Sequence, residues 1–175
     1  MTMAITEGVR LAQSVREKAQ EVKGLCQAVD EQEAGRSPRP ERWTVKQVVS
    51  HLCGPDGKGF LPSLLVFLEQ DSPRIDIDPE NPFFTPRRAS LTLTQLLAEF
   101  DGEYGRIAEF VSGLTDDQLA RKAHIPLLVD TPIGQFPTLA QWVTAIAAFH
   151  LNFHVDHLRQ ILQELGHGGS TASSA

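Results

Sequence analysis

Cysteine is scarce: Cys26 and Cys53 are the only two in 175 residues, far apart and with no CxxC pairing. Such a pair describes no disulfide framework, and reduced thiols in a cytosolic protein are the expectation. Basic residues are outnumbered, 16 Lys and Arg against 22 Asp and Glu, for a formal net charge of −6. A nucleic-acid binder needs a basic face, and Arg87-Arg88 is too small a patch to make one, so no nucleic-acid partner is expected. Long apolar runs are missing, and the first residues show no secretory h-region; no membrane partner and a cytoplasmic location are expected. There is no Ser-His-Asp signature and no dinucleotide fingerprint, and residues 54–59, GPDGKG, are too short and wrongly patterned to cradle phosphates. No catalytic residue is named by any such motif.

What the chain does have is histidine in one place. His150, His154 and His157 fall within eight positions of a segment with helical character. At about 100° per residue, steps of four and three keep all three on one face. Ile146, Phe149, Phe153, Ile161 and Leu162 lie on or beside that face, which is expected to point inward. Neutral imidazole is a common ligand for zinc, nickel and related metals, and two histidines a turn apart can supply two ligands of a site with an open position. The plainer reading is a set of packed core or interface histidines. Cys53, two residues after His51, is more simply a small buried residue than a ligand.

The remaining periodicity describes helices. Residues 4–30 carry an apolar stripe through Ala12, Val15, Ala19 and Val22, and residues 31–42 read as a polar loop. Thr44 caps a second helix with Val45, Val48, Val49 and Leu52 on its buried face and His51 beside them. Residues 54–59 break it; it resumes at about Phe60 with Pro62 in the first turn. Residues 71–89 hold prolines and no helical period, a long connection expected to cover a pocket mouth. A third helix runs over about 92–112, a short turn over 115–119, and residues 123–137 are expected to be extended, with a small hairpin near 130–134. Thr138 caps the last helix, which runs to about Leu165. The predicted fold is an all-α, up-and-down four-helix bundle over residues 1–165 with the long connection between helices two and three; residues 166–175 read as a disordered tail.

Residues 43–52, WTVKQVVSHL, and 157–161, HLRQI, resemble two motifs of the DinB-like superfamily, which includes maleylpyruvate isomerase. Residues 114–126 and the Gly134…Thr138-Leu139…Trp142 pattern resemble its linker and the start of its last helix. The resemblance spans about residues 5–165. It implies a four-helix bundle holding a divalent metal, zinc or nickel, on three histidines, one from the second helix and two from the fourth. Carried over by position, the ligands are His51 and His157. The position four residues before His157, the family's usual third ligand, is Phe153 here; His154 is the nearest substitute, and His150 pairs with His154 at a spacing of four.

The resemblance further implies a metal-dependent transferase acting on a small-molecule thiol and an electrophilic substrate, or a hydrolase. Asp56 and Asp156 are the candidates for a base or a group steadying an imidazole. The alternative is a non-catalytic helical binding or dimerising protein with a lost or rearranged metal site. A homodimer is expected, built on Ala12, Val15, Ala19 and Val22 of the first helix. Histidines of ordinary pKa would surrender a shared metal between about pH 6.5 and 5.

Overall fold

A computed structural model describes residues 5–166 of the chain. Four long helical stretches form the bundle. The first is α1 (Glu7–Cys26), begun by Thr6, whose side chain accepts the Val9 N–H. Between it and the second stretch lies α2 (Glu31–Ala34), a single turn inside the segment expected to be a loop. It forms because Asp30 and Glu33 make a capping box. Glu31 then ties three elements together, accepting from Lys46 Nζ and from the Leu93 backbone N–H.

The second stretch is broken, as expected, into α3 (Val45–Leu52) and α4 (Leu61–Glu69). Thr44 and Gln47 make the capping box of α3. Gly54, Gly57 and Gly59 all take positive φ between the two halves. A Cβ on Gly59 would collide with the Glu103 carboxylate. That carboxylate is 2 % exposed. It accepts the Phe60 and Leu61 N–H groups, capping the start of α4 from another helix.

The long connection contains one turn with no sequence period, α5 (Pro86–Ala89), capped by Thr85. The third stretch is α6 (Leu93–Ser112), followed by the short α7 (Asp116–Leu119). Residues 123–137 form no strand among the described residues. They fold back on themselves through Ala123 N–H to Pro137 O and Ile125 N–H to Gln135 O, around a 3₁₀ turn at Pro126–Leu128.

The fourth stretch is continuous but not uniform. It is α8 (Leu139–Thr144), a π-helical segment at Ala145–His150, and α9 (Leu151–Glu164). α1 packs against α6 and the fourth stretch, while α3 packs against α6 and α9. Ala12, Val15, Ala19 and Val22 are buried inside this core. The surface on which a homodimer was expected is therefore already used within the chain. No described helix is long and apolar enough to cross a membrane. The tail expected from Gly166 onward lies outside the described residues except for Gly166 itself.

Candidate metal centre

α3 meets α9 where their histidines are. Three of the four candidate ligands converge: one ring nitrogen each of His51, His150 and His154 lie within 4.8 Å of one another. His51 Nε2 is 2.9 Å from His150 Nε2. His157 stands beside this trio rather than in it, with its Nδ1 3.5 Å from Nδ1 of His154. His51 and His154 are buried, while His150 and His157 are half-buried.

The buried face of α9 is centred on Leu151, Val155 and Leu158. At about 100° per residue, Phe149 and Phe153 then point roughly 140–180° away from it. They are 68 % and 67 % exposed, against the expectation that they face inward with the histidines. His154 falls within the buried face, and His150 and His157 fall on its edge. His150 is also the last residue of the π segment, a distortion often found where a helix positions functional groups.

His51 is oriented from behind. Its Nδ1 lies 2.7 Å from the carbonyl oxygen of Asn81. A carbonyl only accepts, so Nδ1 carries the proton and Nε2 presents a lone pair toward the other two histidines. Asn81 belongs to the long connection, which does lie over the site. Phe83 of the same segment stacks on the His51 ring with centroids 6.0 Å apart. Its backbone is held at φ 48°, a left-handed conformation unusual for a bulky residue. Trp43 completes the wall, with its ring parallel to His154 at 6.3 Å and tilted against His51 and His157. Phe60 packs edge-on against His150.

This apolar wall keeps the imidazoles uncharged. Burial lowers the pKa of His51, and it takes His150 down to about 4 with the help of His51. His154 falls to about 2, through burial first and then the neighbouring histidines. The pKa of His157 is lowered too, by burial and then by Arg42. Neutral imidazoles whose ring nitrogens converge on one point are what a borderline divalent metal requires, since each can present a lone pair once its proton is on the other nitrogen. The donor set fits such an ion.

The other candidates are engaged elsewhere. Asp56 binds Arg87 and Thr85, and these contacts hold its pKa at about 2, too low for a general base. Asp156 is exposed and pairs with Arg159. Cys53 is buried and donates to Leu96 O; burial pushes its pKa up to about 12. His124 contacts Gln135 and Phe136, away from the trio.

Sequence reasoning assigned no role to Trp43, Asn81, Phe83 or Arg88. Trp43 had a signal, since it directly precedes the cap of the helix that bears His51. Asn81 acts through its backbone and had none.

A family model described as the DinB superfamily matches residues 15–161. Among solved structures, the chain resembles YfiT from Bacillus subtilis with a TM-score of 0.69 and 21 % identity, over 95 % of this chain and 93 % of that one. YfiT is described as a probable metal-dependent hydrolase with an unusual four-helix bundle topology, and the likeness shows the bundle fold. No curated protein matches the chain.

Proposed function

The chain belongs to the DinB superfamily, and from that premise we propose that it is a metal-dependent enzyme whose divalent ion, zinc or nickel, is held by His51, His150 and His154. The observation that supports this is the meeting of one ring nitrogen from each of three histidines, from two helical stretches, within 4.8 Å. The spacing of four between His150 and His154 also supplies the pair that the family motif places at Phe153 and His157. Phe153 is then a two-thirds exposed ring lying edge-on against His154, and His157 a neighbour of both.

A bound divalent ion would supply Lewis acidity, bringing water or a thiol into its anionic range near neutral pH. The chain's own part is positioning. The Asn81 carbonyl holds the Nδ1 proton of His51, and Trp43, Phe60 and Phe83 limit water around the rings. Hydrolysis is the first reaction to test, in line with the description of YfiT; transfer of a small-molecule thiol to an electrophile is the second.

The deciding experiment is metal analysis of untagged protein. Stoichiometric zinc or nickel is expected, and it should be lost in His51→Ala. Absence of both after incubation with each metal would leave a non-catalytic helical binding protein as the better account.

A further inference from the structure

We infer that Arg88 is a positioning residue for His51, acting through the connection that carries Asn81 and Phe83. Arg88 is 3 % exposed, although arginine is seldom buried without a purpose for its donors. Its Nη1 donates to Ser50 O at 3.0 Å and to Gly54 O at 2.6 Å, carbonyls at the C-terminal end of α3. It also reaches Phe83 O at 3.4 Å, and Ser50 Oγ donates to that same oxygen at 3.0 Å. Its Nε pairs with Glu99 on α6 at 3.2 Å. One planar guanidinium thus ties the end of α3, the overlying connection and α6 into one rigid unit.

The position of that connection decides the chemistry of His51. Ser50, Gly54 and Phe83 each lie within three positions of the part of the site they flank. His51 follows Ser50, and Asn81 lies two residues before Phe83. The Asn81 side chain adds a short brace, accepting the Phe83 N–H at 2.8 Å. With Phe83 anchored, the Asn81 carbonyl stays within 2.7 Å of Nδ1 and the Nε2 lone pair stays aimed at His150 and His154. Released, the connection can withdraw that acceptor, and the His51 ring is free to take the other tautomer, with a proton where a ligand lone pair is needed.

The ligand part of this inference rests on the metal reading, but the tautomer part does not, so the test reads both. The comparison is Arg88→Lys against the unaltered chain. Long-range proton–nitrogen spectra of the metal-free protein report the His51 tautomer, and competition with a chromogenic chelator reports zinc affinity. The unaltered chain should show a single Nδ1–H tautomer. Arg88→Lys should show mixed tautomers and bind zinc roughly tenfold to a hundredfold more weakly, the range for loss of an orienting partner. Should Arg88→Lys fail to fold, Ser50→Ala, which withdraws the second donor to Phe83 O, should shift both readouts in the same direction by less. A variant that melts earlier but keeps the Nδ1–H tautomer makes Arg88 a purely structural residue and overturns the inference. Zinc failing to bind the unaltered chain would sink the metal reading alone, and the tautomer comparison would still decide for or against Arg88.

Discussion

Two sets of polar groups lie on either side of α3, and they solve burial in opposite ways. On one side are the imidazoles of His51, His150 and His154, walled by aromatic rings and stripped of charge by desolvation. On the other is an open cleft of about 530 Å³ lined by charged groups, among them Asp56, Arg87, Glu99 and Arg106. There each carboxylate and each guanidinium has a partner: Arg87 with Asp56 and Glu99, Arg88 with Glu99, Arg106 with Glu103. The cleft offers volume, but its carboxylates and guanidiniums already satisfy one another. The histidine cluster brings one ring nitrogen from each of three buried or half-buried imidazoles within 4.8 Å of one another. Convergent ring nitrogens, more than open volume, mark the side where chemistry is to be sought.

The sharpest way to break this contrast is to remove a lone pair. His51→Ala and His154→Ala should each weaken zinc binding by more than about a hundredfold, beyond what losing an orienting partner costs. His157→Ala should change it by less than about tenfold. A chelator competition that ranks His157→Ala with His51→Ala would restore His51 and His157 as the principal pair.

The next effect is in pH. All three histidines of the cluster have folded pKa values below the unfolded value of about 6.5. Below pH 6.5 the unfolded chain takes up protons that the folded chain refuses, so metal-free stability is fully present above that pH. It falls as the pH drops from 6.5 through about 4, the folded value of His150, and on toward about 2, that of His154. The same depression protects a bound metal. Protons compete poorly for His150 and His154, whose pKa values fall to about 4 and about 2, so release should come at a lower pH than the window of roughly 6.5 to 5 set by ordinary histidines. Zinc at about a hundredfold over its Kd should raise Tm by roughly 5–10 °C at pH 7.5. Much of that rise should survive at pH 5; its disappearance by pH 6 would contradict the desolvated cluster.

Smaller still is the reach of the charged side. Glu103→Ala removes the carboxylate that caps α4 from α6 and should cost about 2 kcal/mol of stability in denaturant unfolding. Zinc affinity should hold within about twofold, since the buried carboxylate touches α4 and Arg106 rather than an imidazole. A large loss of zinc would mean the two sides are coupled. Phe153→Ala should do least, within about 0.5 kcal/mol and within about twofold on zinc, because its ring is two-thirds exposed and meets His154 only edge-on.

How well the sequence could be read differs along the same line. α3 was legible because Thr44 and Gln47 cap it and Val45, Val48, Val49 and Leu52 stripe it, which puts His51 near the core face. The last helix was legible in extent but not in aim. Its histidines share a face under any register, yet which of them lie inward depends on where Leu151, Val155 and Leu158 pack. The π turns upstream of them leave no mark in composition. The connection was hardest: Arg88 sits in a proline-rich stretch without period, and the group that orients His51 is a backbone carbonyl, identical in every residue type. The single turn of α2, inside a segment read as loop, was present in Asp30 and Glu33 as a capping pattern too short to stand out.

The π-helical segment at Ala145–His150 has one more consequence. A helix that closes its bonds over five residues instead of four carries, in effect, one spare residue. Trp142 and Val143 anchor the helix before the spare residue, and Leu151 and Val155 anchor it after. The segment between can therefore absorb a change of length that a regular helix would transmit as a rotation of about 100°. Deleting Ala148, with both anchors left in place, should convert the stretch to ordinary α-helix and leave the bundle folded. His154, downstream of the anchor at Leu151, would keep its aim, and His150, inside the slack, would lose it. Chain length at this one place, independent of which residues fill it, then sets whether two imidazoles or three look toward the same point.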